Sequence, residues 1–198
     1  MQTFRAMMHT TGMALNGAGA FGTVRLRGDM SKPEVWQRGP LPGVDPLLMP
    51  VAHAFVQVQE DLRSLAATTA ADAVWQRPGG AASIAFHVRH IGGATDRLLT
   101  YARGAALSDA QRAALEAEGD ESPPRPTLEQ LVDETVRSLD AALAQVRATT
   151  AEELFAPRTI GRAALPTTVL GLLFHAAEHA TRHAGQAITT ARVQQGAF

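Results

Sequence analysis

Histidines are the residues of this sequence best suited to chemistry, and five of the seven crowd into two short stretches. His87 and His90 belong to the first stretch, whereas His175, His179 and His183 belong to the second. Residues four apart lie one turn apart on the same helix face, so His179 and His183 can offer ring nitrogens to one ion. A third histidine from a neighbouring helix would complete a three-nitrogen site with open coordination positions, as in catalytic zinc sites.

Composition limits which ligands a metal could find in this chain. The chain has no cysteine, which excludes disulfides, thiolate ligands and a cysteine nucleophile. A metal site must therefore use histidine and carboxylate side chains. The alternative is a bundle whose histidines bind no metal, because a buried histidine is more often a hydrogen-bonded core residue than a ligand. The presence of a second histidine-bearing helix favours the metal interpretation.

Four amphipathic helices are expected to position the histidines, because apolar residues recur at steps of three and four in four stretches. Asp45-Pro46 indicates the start of the first helix. Pro50 fits poorly inside a helix, so a start one turn later is the alternative. Thr127 reads as the cap of the third helix. No stretch predicts a strand. The predicted helices, from first to fourth, are residues 45–65, 83–103, 127–146 and 166–193.

The connection between the second and third predicted helices is long and polar, and it runs from Gly104 to Pro126. A short helix is predicted within it, around Ala110 to Glu118. A connection of this length suits a crossover rather than a tight antiparallel turn. We therefore expect an all-α fold, a four-helix bundle with a long crossover between helices 2 and 3.

The length and charge of the chain limit how many domains it can form and which classes of partner it can bind. The chain has 198 residues, which is enough for one domain. Its formal net charge of −1 provides no excess positive charge for binding nucleic acid. No apolar run approaches the roughly 20 residues that span a bilayer, so we expect a cytoplasmic protein without a membrane partner. Residues 1–29 lack apolar periodicity, and we expect a disordered leader or an upstream start there. The domain would then comprise residues 30–198.

The histidine-bearing segments resemble the DinB/YfiT-like superfamily. The matching features are the run His179-x-x-x-His183-x-Gly185-Gln186 and the segment from Ser83 to Leu99, within a resemblance that extends over about residues 33–191. The resemblance implies a four-helix bundle that binds one divalent ion, with zinc or nickel preferred and manganese or iron as further candidates. It also implies one ligand from the second helix and two from the fourth. The positions that correspond are His90, His179 and His183.

Residues one turn from these positions are candidates for supporting roles. His87 and His175 are each a candidate alternative ligand, partner of a ligand or proton shuttle, or else a histidine with a single hydrogen bond, and of the two His175 is the one more expected to touch the site. Glu178 could orient a ligand imidazole, although pairing with Arg182 is slightly favoured. Gln186 is expected to contact the site.

Other polar residues of the second helix receive weaker assignments. Tyr101 lies about three turns beyond His90 on the same face and is a candidate for the mouth of a pocket. Four charged residues of the same helix are expected to form surface pairs rather than to bind substrate anions. These are Arg89, Asp96, Arg97 and Arg103.

The resemblance implies a function as well as a fold. Characterised members of the superfamily include metal-dependent S-transferases and isomerases that use low-molecular-weight thiols such as bacillithiol, mycothiol or glutathione. We therefore expect a small-molecule partner, with a homodimer left open. Two alternatives use the same residues: a non-catalytic metal-binding or stress-response interaction bundle, and a metal-assisted hydrolase.

Overall fold

A computed structural model describes residues 32–196 of the chain. Three features therefore fall outside the described residues: the predicted leader over residues 1–29, the predicted start of the domain at residue 30, and His9. No helix within residues 32–196 is both long enough and apolar enough to cross a membrane. The elements are α1 (Met49–Thr68), α2 (Ile84–Ala102), α3 (Asp109–Ala117), α4 (Leu128–Ala148), β1 (Pro157–Ile160), β2 (Leu165–Thr168) and α5 (Val169–Gln194).

Four long helices pack into a bundle in which each contacts two neighbours. α2 lies against α4 and α5, and α1 lies against the same two helices on the opposite side. Their apolar stripes fill the centre, where Phe55 of α1, Ile91 of α2, Leu139 of α4 and Leu173 of α5 are fully buried. Burial of such side chains supplies the main driving force for folding, about 1.5–3 kcal/mol for each. The expected all-α four-helix bundle is confirmed.

Small residues allow the helices beside α2 to approach it closely. On α5, Ala180, Ala184 and Ala187 are buried, so the backbone of α5 can lie near α2 without a large side chain between them. A Cβ atom on Gly92 of α2 would stand 3.1 Å from the hydroxyl oxygen of Thr135 on α4. These short side chains leave the longer histidines of α2 and α5 to meet at the edge of the helix contact.

Capping side chains begin two of the long helices where the sequence predicts. Ser83 accepts a hydrogen bond from the backbone NH of Phe86 (3.1 Å), and Thr127 accepts one from Gln130 (3.3 Å). Such caps contribute about 1 kcal/mol each because they satisfy amide groups that lack a helical partner. α1 begins at Met49 rather than at Asp45, whose carboxylate instead accepts the Leu47 amide in a turn.

A hairpin before α5 corrects the prediction that the chain contains no strand. β1 and β2 pair antiparallel, with Thr159 opposite Pro166, so Pro166 lies in a strand and α5 begins only at Val169. Thr168 caps α5 through a hydrogen bond from the Gly171 amide. The four-residue strands are too short to show a clear alternation of apolar and polar residues, which is why the pattern failed to indicate them.

Candidate metal centre

Three histidines from α2 and α5 converge where these helices meet. One ring nitrogen from each of His90, His179 and His183 lies within 4.8 Å of those of the other two, close enough to hold a metal ion. The ring centroids of His179 and His183 are 4.5 Å apart, and that of His90 lies 4.9 Å and 4.5 Å from them respectively. All three side chains are half-buried, so the cluster lies at the edge of the helix contact and faces solvent on one side.

The protonation state of the cluster suits a metal ligand set. Burial, together with the neighbouring His90, His179 and His87, lowers the pKa of His183 from 6.5 to about 4. Burial and the neighbouring His90 also lower the pKa of His179. Both rings are therefore neutral at pH 7, which is the form that donates a lone pair to a metal. Imidazole ligands suit borderline cations such as zinc, nickel or iron, so the residues fit the ion that the resemblance implies.

His87 supports one of these ligands from the buried side. Its Nδ1 atom lies 3.0 Å from Nδ1 of His183, and its side chain is 6% exposed. If His183 binds a cation through Nε2, its Nδ1 carries the proton and donates it to Nδ1 of His87. Burial and the neighbouring His90 lower the pKa of His87, which keeps its ring neutral and able to accept that bond. His87 thus fixes the orientation of the His183 ring.

His175 and Glu178 pair with each other, and His175 also touches a candidate ligand. Nδ1 of His175 contacts Oε1 of Glu178 at 2.7 Å, and Glu178 also pairs with Arg182, as expected. The His175 ring meets the His179 ring edge-on, with centroids 5.5 Å apart. Both flanking histidines therefore touch a candidate ligand, His175 through a ring contact with His179 and His87 through a hydrogen bond to His183.

Glu118 is a buried partner of His90 that the sequence analysis missed. Its Oε2 atom lies 2.7 Å from Nδ1 of His90, and its Oε1 atom accepts a hydrogen bond from Arg97 at 3.0 Å. Burial alone would raise the pKa of Glu118, but the hydrogen bonds from His90 and Arg97 outweigh it and lower that pKa. The expectation that Arg97 forms a surface pair is wrong, because its side chain is only 11% exposed and its partner 8%.

The remaining candidates lie at various distances from the centre. Tyr101 follows His90 by eleven residues, about 16 Å along α2, and packs against the hydrophobic core. Gln186 is exposed on α5, one turn beyond His183. His53 of α1 contacts the carbonyl oxygen of Gly39 at 3.0 Å. The structure thus brings neither Tyr101 nor His53 to the cluster.

Two comparisons with known proteins agree on the fold. A sequence profile of the DinB superfamily matches residues 54–187, a span that includes His90, His179 and His183. Among solved structures, the chain is similar to a conserved protein from Enterococcus faecalis, with a TM-score of 0.57 and 16% identity. The similar region covers 75% of this chain and 97% of that one. No curated protein matches the sequence. At this identity the structural likeness concerns the fold alone.

Proposed function

The chain belongs to the DinB superfamily, and we propose that it is a metal-dependent S-transferase or isomerase that uses a low-molecular-weight thiol. The observation that carries the proposal is the convergence of His90, His179 and His183 from two helices onto one point. Three protein ligands leave coordination positions for water or substrate, which is the arrangement of catalytic rather than structural zinc. Because the three rings are only half-buried, the solvent-facing side of the cluster is accessible to a small molecule.

The neutral ligand set favours acid–base chemistry at the cation. A divalent ion lowers the pKa of a bound thiol or water and so supplies a nucleophile at neutral pH. Neither a carboxylate nor a thiolate belongs to the three-histidine cluster, so the ligands do not offset the charge of the cation. His87 contacts the ring of His183, and Glu118 contacts the ring of His90. These two contacts hold the rings in place while small molecules exchange at the open coordination positions.

The choice of a thiol as substrate follows from the family resemblance. Characterised members of the superfamily use bacillithiol, mycothiol or glutathione, and the site has the ligand number that such chemistry requires. The balanced charge of the chain supports a small-molecule partner rather than nucleic acid. We propose zinc or nickel as the ion, because imidazole nitrogen suits both.

The first test is the metal content and the response to thiols. Protein purified without chelator should contain up to one zinc, nickel, manganese or iron ion per chain by elemental mass spectrometry. In nickel- or cobalt-substituted protein, millimolar glutathione, mycothiol or bacillithiol should produce a sulfur-to-metal charge-transfer band in the near ultraviolet. The responsive thiol should then be consumed in the presence of a generic electrophile.

The outcomes separate the proposal from its rivals. A metal-loaded protein whose spectrum no thiol changes would contradict the thiol-transferase proposal and favour a metal-binding module. Ester or amide hydrolysis by the same protein would instead favour a metal-assisted hydrolase. A protein that binds no ion, even after addition of Zn²⁺ or Ni²⁺, would contradict the metal centre itself. His53→Ala, which alters a histidine away from the cluster, is the matched control for each measurement.

A further inference from the structure

We propose that Glu118 and Arg97 form a positioning pair that fixes the ring of His90, and that Gly93 makes room for this pair. The inference rests on the metal-binding part of the proposed function and is independent of the thiol. It assigns a role to the crossover between α2 and α4, because Glu118 immediately follows α3 within that segment.

The hydrogen bonds determine which nitrogen of His90 faces the other ligands. Oε2 of Glu118 lies 2.7 Å from Nδ1 of His90. A carboxylate only accepts hydrogen bonds, so the proton of a neutral His90 resides on Nδ1 and the lone pair on Nε2. Nε2 is then the atom that can bind a cation beside His179 and His183. A carboxylate partner of this kind also makes the imidazole a more basic ligand.

The position of Glu118 has no local explanation. It caps the C-terminal end of α3, where the helix dipole places partial negative charge and disfavours a carboxylate. It is also buried, and a buried carboxylate is unfavourable unless it is paired. Arg97 compensates the charge with two hydrogen bonds, of 3.0 Å and 3.3 Å. The unfavourable position is therefore best explained by the remaining contact of the carboxylate, which is the one to His90.

Gly93 provides the space for the pair. A Cβ atom on Gly93 would stand 2.5 Å from Oε1 of Glu118 and 2.8 Å from Nη1 of Arg97, closer than real Cβ contacts. Glycine is among the least favourable residues inside a helix, and Gly93 lies near the middle of α2. The adjacent Gly92 differs, because its missing side chain allows α2 to approach Thr135 of α4. Gly93 instead leaves room for two side chains beside its own helix.

The test uses a glycine substitution that touches neither a ligand nor the carboxylate. Gly93→Ala should lower the affinity for Zn²⁺ by about 10–100-fold, the usual effect of disturbing a residue that supports a ligand. The affinity is measured by competition with a chromophoric chelator. The matched control is Gly185→Ala on α5, two residues from His183, where an added Cβ meets nothing within 4 Å. Gly185→Ala should bind Zn²⁺ as tightly as the unaltered protein.

A second set of variants tests the carboxylate directly. Glu118→Ala should weaken Zn²⁺ binding by about 10–100-fold, and Glu118→Gln, whose amide oxygen can still accept from Nδ1 of His90, should recover part of the loss. Circular dichroism and thermal melting of the metal-free variants identify any variant that does not fold. In metal-free protein, long-range ¹H–¹⁵N NMR spectra should show the Nδ1–H tautomer of His90, and Glu118→Ala should abolish that preference.

The outcomes distinguish this inference from the proposed function. Unchanged Zn²⁺ affinity in folded Gly93→Ala and Glu118→Ala would overturn the positioning role. An Nε2–H tautomer of His90 in the unaltered protein would overturn it as well, whether or not metal binds. A protein that binds Zn²⁺ with the expected losses, but responds to no thiol, would contradict the thiol proposal and support the positioning pair.

Discussion

α2 and α5 support their candidate ligands by different means. α5 supplies two histidines one turn apart, and the second of these, His183, is supported by the neutral ring of His87 from α2. α2 supplies only His90, which is held by a charged pair, Glu118 and Arg97, that includes a residue of the crossover. The α5 half of the site, His179 and His183, therefore depends on the contact between two helices. The α2 half, His90, depends on a carboxylate of the crossover, which lies outside the four-helix bundle. The two halves should respond differently to mutation and to pH.

The largest effect is expected from the ligands themselves. Alanine in place of His90, His179 or His183 should each lower Zn²⁺ affinity by more than the roughly 100-fold upper range of supporting residues. Chelator competition measures the affinity, and elemental analysis measures the ion that survives purification. Because an ion that binds only the folded state stabilises it, Zn²⁺ should raise the melting temperature of the unaltered protein far more than that of these variants. Normal binding by His90→Ala would show that His90 is not a ligand.

His87 should come next in size. His87→Ala removes the acceptor of His183 and should lower Zn²⁺ affinity by about 10–100-fold. His87→Asn, whose side-chain oxygen can accept the same proton, should recover part of that loss. A loss as large as that of His183→Ala would instead make His87 a ligand. No loss at all would show that His183 is held by its helix alone.

The contrast between the two halves also explains what the sequence could predict. The sequence predicts α2 and the body of α5, though not the start of α5, because their periodicity and the Ser83 cap are local signals. The spacing of His179 and His183 is local as well. Glu118 is 28 residues from His90, and only the packing of the crossover brings them together. The feature of the sequence that relates to Glu118 is Gly93, because a glycine inside a helix usually has a packing or functional role.

The contribution of His183 to the stability of the chain should be lost in milder acid than the contribution of Glu118. The pKa of His183 is lowered from 6.5 to about 4 in the folded state, so below pH 6.5 the unfolded chain binds a proton that the folded chain rejects. Its contribution to stability is thus present above pH 6.5, and it declines until the pH reaches about 4. The pKa of Glu118 is lowered from 4.5, so its contribution is lost only as pH falls below 4.5.

Melting temperatures of metal-free protein between pH 4 and pH 7.5 test this order. His183→Ala should flatten the decline between pH 6.5 and about pH 4, because that variant lacks the titrating ring. Glu118→Gln should retain the decline between pH 6.5 and pH 4.5 and lose part of the further decline below pH 4.5. A decline that His183→Ala leaves unchanged would assign the effect to other groups, with His87 and His179 the next to substitute, since their pKa values are also lowered.

The smallest effect is expected from His175, which makes it the sharpest comparison with His87. Each lies one turn before a candidate ligand, His87 before His90 and His175 before His179. His87 is buried and bonded to a ligand, whereas the side chain of His175 is 47% exposed and bonded to Glu178. Exposed pairs of this kind contribute about 0–1 kcal/mol. His175→Ala should therefore change Zn²⁺ affinity by less than about threefold, which in free energy lies within that range.

The measurement is the chelator competition used for His87→Ala, with both variants prepared and assayed side by side. Urea unfolding of the metal-free proteins should place His175→Ala within about 0.5 kcal/mol of the unaltered chain, as is usual for exposed positions. A loss of Zn²⁺ affinity as large as that of His87→Ala would contradict the geometry described above. It would mean that the ring of His175 leaves Glu178 and turns towards His179 when the ion binds, so that α5 supplies three of the participating histidines.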